Sequence, residues 1–443
     1  MFFIIMIIGI ILYLQGKKYF GLLIFLFLLT DGFQFVPEPL MLFGFNLYGK
    51  DYALIFTLAI LMSYLIAGKV RFPVKSIVFV ALLCFLIYLV FAAYIDLAYY
   101  NPSFSGFMLM FRVNLFLLTY FWLDKIDKKL FERLFKTIFI ITVIQSILCL
   151  IQIPTGLRLL TGGGITAFDE LGIPWVRYTN LPYFLMPCLF ILLMNKTLVI
   201  HYKGGIIVLF LITILFTLTR TLILGLILTM GFAVLSGLFN QQKKVIFWFV
   251  FMFILTLPII GARLLSSTDD INAAVSDKSV EQGSNMTFAY RIFHVTERYL
   301  YVSKDPKHEF FGIGFIHERD FPKDTFLLGH RNEKYEATQL EQDDVSWSNL
   351  FLRYGIFGTV LYMFIFVAFV VAFFKQKTNG INAAAIMFMI MTLILSFASG
   401  KFSQADYFLV PMFFFFYIRK SRQDAETKES NVLLSTSDVH KNS

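Results

Sequence analysis

The residues from Ile206 to Phe239 read IIVLFLITILFTLTRTLILGLILTMGFAVLSGLF, 34 positions with a single charge at Arg220. As one continuous α-helix this stretch would be about 51 Å long, whereas the hydrocarbon core of a bilayer is about 30 Å thick. The excess length predicts two membrane-spanning helices that turn near Thr219-Arg220-Thr221. Such an apolar run is typical of an all-α polytopic membrane protein.

The composition of the whole chain agrees with this fold class. Of its 443 residues 58% are hydrophobic and only 15% are charged, and the mean hydropathy is +0.74. These values exclude an ordinary soluble protein. The net charge of +9 would suggest nucleic acid in a soluble domain, but here it marks the cytoplasmic side of a bilayer, so we expect no nucleic-acid partner. Cys84, Cys149 and Cys188 lie in apolar runs, which favours buried thiols over disulfides or a metal site.

Basic residues are concentrated in alternate connections between the apolar segments, and the positive-inside bias assigns these connections to the cytoplasm. They are Lys17/Lys18, Lys69/Arg71/Lys75, the Lys125 to Lys136 cluster, Lys196/Lys203, Lys243/Lys244, Lys375/Lys377 and Arg419/Lys420/Arg422. The remaining loops then face outward, and they are Thr30 to Lys50, Asp96 to Pro102, Pro154 to Asn180, Ala262 to Val345 and Gly400 to Asp406. The pattern predicts about 12 to 13 transmembrane helices with the N-terminus outside.

Four regions follow from this topology. Residues 1–261 are N-terminal transmembrane helices with a smaller external loop at 154–180, and residues 262–345 form one large external loop. That loop holds 15 of the 29 acids and four of the six histidines, so the charged chemistry of the chain is concentrated there. Residues 346–418 are the C-terminal transmembrane helices. Residues 419–443 are polar without an apolar period, which predicts a disordered cytoplasmic tail.

Two arginines lie within or beside apolar segments, where a charge is costly and a function is the first hypothesis. Arg112 lies near the middle of its predicted span, and the alternative is a structural pair with an acid on a neighbouring helix. Arg220 lies at the outer turn of the long apolar run, where its guanidinium is able to reach a phosphate at headgroup level. The alternative for Arg220 is an arginine that only extends to the membrane interface.

The large loop contains a predicted amphipathic helix near 288–303. Arg291, His294 and Arg298 form a basic stripe at i, i+3 and i+7, beside an apolar stripe on the same helix. Two interpretations stay open. The helix lies on the membrane with a solvated basic face, or the basic face binds an anionic substrate.

Asp343 and Asp344 come directly before the helix that is predicted to start around Val345. The commonest role for Asp344 is then a helix N-cap, although a capping carboxylate can also act in catalysis. The four loop histidines are not spaced like a metal site. No nucleophile elbow, phosphate-binding glycine loop or dinucleotide fingerprint is present.

In the order of these features the chain resembles the bacterial O-antigen polymerases and O-antigen ligases, membrane glycosyltransferases that act on lipid-linked sugars. The likeness runs from about Arg177 to Gly358. It is carried by Arg177 with Asn180 before a span, Thr219-Arg220 at an outer turn, Arg291 opening an external helix, Pro306 with Gly312-Ile313-Gly314, and Asp344 with Gly355 and Gly358. The ligase signature has histidine then asparagine where this chain has Asp344 and Val345, a departure that fits a polymerase better.

The resemblance implies a GT-C-like helical bundle in the bacterial inner membrane, with the large loop in the periplasm. It implies a glycan on undecaprenyl diphosphate as the donor, with no metal, cofactor or nucleotide sugar. The expected partners are this lipid-linked oligosaccharide, the bilayer, a chain-length regulator and a flippase.

The resemblance also suggests roles for individual residues. Cations must neutralise the departing diphosphate, and a base must activate the acceptor hydroxyl. Asp344 or Asp343 is the expected base. The expected substrate-binding residues are Arg177, Asn180, Arg220, Arg291, Arg298, His294 and Arg112. Alternatives are an O-antigen ligase, a lipid-linked oligosaccharide flippase or small-solute transporter, and a structural scaffold. Transporters usually have short external loops, which the large charged loop does not fit.

Overall fold

The protein is a bundle of apolar helices whose connections meet at its two ends. The structure is a computed structural model. It describes residues 1–37, 40, 47–70, 76–161, 165–168, 175–178, 181–195, 202–217, 219–237, 250, 254, 257, 287–322, 325–328, 330–331, 337–340, 345–375 and 380–441.

The first half of the chain supplies helices α1 to α10. They are α1 (Phe2–Leu14), α2 (Lys18–Leu29), α3 (Gly49–Ile66), α4 (Ile77–Ile95), α5 (Phe104–Phe111), α6 (Thr119–Leu123), α7 (Lys128–Thr155), α8 (Leu185–Met194), α9 (Lys203–Phe216) and α10 (Arg220–Leu235). A π-helical turn, Asp96–Tyr100, extends α4, and a 3₁₀ segment, Arg112–Leu118, joins α5 to α6. The long apolar run is therefore divided between two helices, one ending at Phe216 and the next beginning at Arg220, close to the predicted turn.

The second half supplies the remaining helices. They are α11 (Thr287–Val302), α12 (Pro306–Phe311), α13 (Ser346–Phe374), α14 (Gly380–Leu395) and α15 (Leu409–Lys441). Short 3₁₀ turns are Gly32–Gln34, Glu318–Asp320, Gly400–Ser403 and Ala405–Phe408. The amphipathic helix predicted near 288–303 corresponds to α11.

Five helical segments in the described part of the chain are long and apolar enough to cross a membrane. They are Gly49–Ile66, Ile77–Tyr100, Phe104–Leu123, Lys128–Thr155 and Ser346–Phe374. Shorter apolar helices are Phe2–Leu14, Lys18–Leu29, Leu185–Met194, Lys203–Phe216, Thr221–Leu235 and Gly380–Leu395. The chain is thus a multi-pass helical membrane protein. The total of 12 to 13 spans stays a prediction.

Two short β-hairpins add to the helices, which the all-α prediction omitted. In the loop at 154–180, β1 (Ile165–Phe168) pairs antiparallel with β2 (Trp175–Tyr178), with Ile165 opposite Tyr178. In the large loop, β3 (His330–Arg331) pairs antiparallel with β4 (Ala337–Thr338). A strand of two to four residues is too short for its alternation of apolar and polar residues to be recognised in the sequence.

The basic connections meet at one end of the bundle. Lys18 Nζ donates a hydrogen bond to the Lys125 carbonyl at 3.2 Å, which joins the start of α2 to the connection after α6. Arg419, on α15, lies 3.2 Å from Asp124 in the same connection. Three connections that the charge pattern assigned to one side therefore share an end.

The predicted outward loops meet at the opposite end of the bundle. The helix α4 and the helical segment from α5 to α6 each run from a basic connection to one of these loops, so the two kinds of connection lie at different ends. Contacts join all five of these loops in pairs. They are Thr161 N–H to Gln34 O at 2.8 Å, Phe315 N–H to Asp96 Oδ2 at 2.7 Å, and Lys50 Nζ to Asp406 Oδ2 at 2.7 Å.

The polar C-terminal tail differs from the prediction. The helix α15 continues through it to Lys441, whereas residues 419–443 were expected to be disordered. The tail contains neither glycine nor proline, and Arg422 pairs with Glu426 at 2.6 Å one helical turn away. An apolar period was the signal sought in the sequence, and a helix that is polar on all sides lacks that signal.

Candidate functional site

A cavity of about 480 Å³ with six charged residues in its lining lies where the predicted outward loops converge. Three cations and three carboxylates line it, among apolar and aromatic side chains. The charged residues are Asp31, Lys50, Asp51, Arg112, Arg353 and Asp406. They come from five separate places in the sequence, so the cavity exists only in the folded bundle.

The first turn of α3 supplies two of these residues. Asp51 accepts a hydrogen bond from the Tyr48 backbone N–H at 3.0 Å, which satisfies a donor at the helix start. Its other oxygen lies 2.6 Å from Arg112. Lys50 pairs with Asp406 at 2.7 Å. Two cations of the cavity wall are thus held by carboxylates.

The pairing of Arg112 agrees with the structural alternative considered for it, an acid on a neighbouring helix. Arg112 also opens the 3₁₀ segment that interrupts the helix between α5 and α6. Its side chain is 25% exposed and lines the cavity, so pairing does not remove it from contact with a ligand. A mid-helix 3₁₀ stretch often marks a functional hinge or a strained sequence.

Asp31 is the third carboxylate, and it lies between α2 and α3 in a left-handed backbone conformation with φ 48°. Its Oδ1 accepts a hydrogen bond from Gly49 N–H at 3.1 Å. No further hydrogen bond from the described residues reaches this side chain. Burial raises the pKa of the Asp31 carboxyl, and the nearby charge of Lys50 partly offsets that rise.

Arg353 projects from the N-terminal part of α13. Its Nη1 donates to the carbonyl oxygen of Ile316 at 2.6 Å and is 3.4 Å from that of Gly314. Both acceptors are backbone carbonyls of the large loop, so these contacts tie α13 to that loop. The neighbouring Tyr354 donates its hydroxyl to Asn114 Oδ1 at 2.7 Å, which ties α13 to the 3₁₀ segment.

Glycines allow the large loop to pack closely on α13. Gly355 interrupts α13 with φ 64°, and Gly312 has φ 67°. A Cβ on Gly312 would lie 2.4 Å from the Leu352 carbonyl oxygen, and one on Gly314 would lie 1.8 Å from Asp96. The Gly312-Ile313-Gly314 and Gly355 motifs of the resemblance are therefore neighbours in space, and their backbones meet directly.

The amphipathic helix α11 lies alongside the first turns of α13. His294 Nδ1 and Ser348 Oγ are hydrogen-bonded at 2.8 Å, and the rings of Tyr299 and Phe351 are 5.6 Å apart. His294 precedes Tyr299 on α11, and Ser348 precedes Phe351 on α13, so the two helices run in the same direction. Arg291, about one turn before His294, therefore lies level with the start of α13. Burial first, and then the charge of Arg298, lowers the pKa of His294 to about 3.

The basic stripe of α11 faces the protein, and part of its apolar stripe is exposed. Arg298 is fully buried, donates to Glu297 and to the carbonyls of Leu328 and Gln339, and lies 4.2 Å from the ring of Phe326. The solvated basic face is therefore wrong for His294 and Arg298. The exposed large apolar side chains of this helix are Ile292, Phe293, Tyr299 and Leu300.

The other predicted site residues are placed less fully. Arg177 lies in β2 and Arg220 opens α10, and both are placed by their backbone only. Asn180, Asp343 and Asp344 lie outside the described residues. The helix α13 begins at Ser346 with Val345 at the cap position, so the cap predicted at Asp344 is displaced by one residue.

The sequence pattern missed most of the cavity wall, namely Asp31, Lys50, Asp51, Arg353 and Asp406. Arg353 carried the same signal as Arg112, a single charge within a long apolar helix. The other four lie at the edges of short external loops, where charged residues are common. Only the pairing of distant segments identifies them.

Residues 205–363 match the family model described as O-antigen ligase. This match confirms the resemblance to the O-antigen polymerase and ligase family. The matched range includes all but the first two residues of α9, the helices α10 to α12 and the first part of α13, and therefore Arg353 and the glycines of the loop contact. No curated protein matches the chain.

Proposed function

We propose that this protein is a membrane glycosyltransferase that polymerises undecaprenyl-diphosphate-linked oligosaccharide repeat units at the outer face of the inner membrane. The family match over residues 205–363 carries the proposal. The cavity at the loop-rich end of the bundle supports it, since a lipid-linked glycan presents its reacting groups near the membrane surface. In this proposal the bundle is GT-C-like and residues 262–345 lie in the periplasm.

The reaction transfers the glycan from its diphosphate to a hydroxyl of the acceptor. The acceptor oxygen forms a bond to the anomeric carbon, the bond from that carbon to the diphosphate oxygen breaks, and the acceptor proton passes to a base. Arg177, Arg220 and Arg291 are proposed to neutralise the departing diphosphate. Arginine suits this role because its forked guanidinium can bind two phosphate oxygens at once.

Asp344 or Asp343 is proposed as the base. Leu340 and Asn349, described residues on either side of these aspartates in the sequence, both line the cavity. Arg291 lies level with the start of α13, where the same segment enters that helix. In this proposal the aspartate binds the acceptor hydroxyl near the cavity and Arg291 binds the diphosphate beside α13, so the two reacting groups come together.

A ligase is the second candidate, and the description of the matched family favours it. The polymerase is supported by Asp344 and Val345, which stand where the ligase signature of the resemblance has histidine and asparagine. A flippase or transporter is less well supported, because transporters usually bind their substrates near the middle of the membrane. The cavity described here lies at the loop end.

Deleting the gene and complementing it separates these candidates. For a polymerase, surface polysaccharide should shift from long chains to single repeat units, and the wild-type gene should restore the chains. For a ligase, lipid-linked polymer should accumulate while chains disappear from the lipid A core. Unchanged chain lengths would contradict both, and repeat units trapped in the cytoplasm would indicate a flippase.

The same strain tests the base. Complementation with Asp344→Asn should insert normally yet lower the polymerisation rate by about a hundredfold to ten-thousandfold, since an amide cannot take up the proton. Asp343→Asn is the matched control for local charge. Wild-type chain lengths with Asp344→Asn would exclude Asp344 as the base.

A further inference from the structure

We infer that the α3 side of the cavity binds the acceptor saccharide, with Asp31 accepting a hydrogen bond from one of its hydroxyl groups. The inference rests on the proposed function, because it assigns one half of the same site. It concerns the wall formed by Asp31, Lys50, Asp51, Arg112 and Asp406, which we call the acceptor wall. The diphosphate is assigned to the other side, toward α11 and α13.

The charge balance of the acceptor wall fits a neutral ligand. Lys50 is paired with Asp406 and Arg112 with Asp51, at 2.7 and 2.6 Å. Asp31 adds a carboxyl group to this wall, so the wall offers a diphosphate no surplus of cations. A sugar instead needs hydrogen-bond donors and acceptors at fixed positions, and ion-paired side chains provide both.

Asp31 has the geometry of a prepared hydrogen-bond acceptor. One oxygen receives the Gly49 N–H, and within the described chain the other oxygen has no donor. The backbone around it is held in place, because Gln145 Nε2 donates to the Phe33 carbonyl at 2.6 Å and Thr161 N–H to the Gln34 carbonyl at 2.8 Å. A binding group that is already ordered loses little entropy when the ligand arrives.

The size and apolar parts of the cavity also fit a saccharide. Its volume of about 480 Å³ lies within the ~300 to 1,000 Å³ usual for small-molecule sites. Tyr48, Phe315 and Tyr354 line it and offer aromatic surface to the C–H faces of a sugar ring. A ligand held there would lie beside Leu340 and Asn349, the described residues that flank the proposed base in the sequence.

Binding measurements on the full chain in lipid nanodiscs test the inference. The probe is the free repeat-unit oligosaccharide, released by mild acid from the lipid-linked material of the deletion strain. Asp31→Ala should weaken its binding about tenfold to a hundredfold, as expected for loss of a hydrogen bond to a charged group. Binding of inorganic diphosphate should not change. Asp320→Asn, an exposed carboxylate outside the cavity, is the matched control and should bind both probes as the wild type does.

Asp31→Asn keeps an acceptor for Gly49 N–H and tolerates the left-handed backbone, so it should fold even where Asp31→Ala does not. It should bind the oligosaccharide several-fold more weakly than the wild type. Unchanged oligosaccharide affinity in either folded variant would overturn the inference, as would a parallel loss of diphosphate binding.

Two further measurements separate this inference from the proposed function. Free lipid A core oligosaccharide is the second probe, and Asp31-dependent binding of the core alone would keep the acceptor wall while favouring a ligase. Polymer formation by the wild-type protein from lipid-linked repeat units tests the polymerase itself. A wild type that polymerises while Asp31→Ala binds the oligosaccharide normally would overturn only the inference about Asp31.

Discussion

The acceptor wall and the buried face of α11 both contain arginines beside carboxylates, yet the two regions use them differently. Arg112 and Asp51 remain 25% and 10% exposed and border a cavity. Arg298 is fully buried, and its described hydrogen bonds go to Glu297 and to two backbone carbonyls. An ion pair at a cavity can still bind a ligand, whereas one enclosed by backbone acceptors stabilises a loop.

The same contrast separates the roles predicted along α11. Arg291, His294 and Arg298 formed one basic stripe in the sequence. In the structure His294 and Arg298 are buried. Arg291 is partly exposed and has interactions of its own. We therefore expect substitutions at His294 and Arg298 to act first on stability, and the three predictions below test that division.

The largest effect is expected for Arg298→Met. The substitution keeps the length of the side chain but removes the donors to Leu328 and Gln339 and leaves Glu297 without its cation. Losing one partner of a buried pair costs roughly 3 to 5 kcal/mol of the free energy of unfolding. Thermal denaturation in detergent should show a clear fall in Tm. Arg319→Met, at an exposed position, is the control, and equal Tm values for the two variants would contradict the buried role.

His294 should make stability depend on pH. Its pKa is lowered from 6.5 to about 3 in the folded protein, so the unfolded chain binds the proton more readily. The contribution is fully present above pH 6.5 and is lost as pH falls toward 3, by at most about 1.4 kcal/mol per pH unit. Between pH 6.5 and 5 the free energy of unfolding should fall by about 1 to 2 kcal/mol, because the slope reaches its limit only below pH 6.5. His294→Gln should reduce this slope, and an equal slope would place the titration elsewhere.

The sequence predicted the helices of the site better than the site itself. The span that contains Arg112, the amphipathic helix α11 and the division near Thr219 follow from apolar length and period, which are local properties. The acceptor wall depends on pairs such as Lys50 with Asp406, which are 356 positions apart. No local pattern records such a pair, and a single sequence shows only that each residue is charged.

The backbone contacts of the glycines were predictable only in part. Gly355 and Gly358 were expected to allow close helix packing, and the resemblance identified Gly312 and Gly314. The left-handed conformation at Gly355, which interrupts α13, has no signal in the surrounding apolar residues. The loop backbone at Glu309 and Gly312 also occupies the space that a Cβ would need, so a side chain does not fit at this position.

The smallest effect is expected for the pair of Arg112 with Asp51, and it tests the other side of the comparison. Because both side chains are partly exposed to the cavity, water screens the pair, and the coupling in a double-mutant cycle should be about 1 kcal/mol. The cycle uses Arg112→Leu, Asp51→Asn and the double variant, with thermal denaturation as the measurement. A coupling of about 3 kcal/mol or more would mean that this pair contributes as much to the free energy of unfolding as the buried contacts of Arg298. A small coupling together with weaker oligosaccharide binding in Arg112→Leu would show that the pair serves ligand binding. A small contribution to stability would not account for the loss of oligosaccharide affinity.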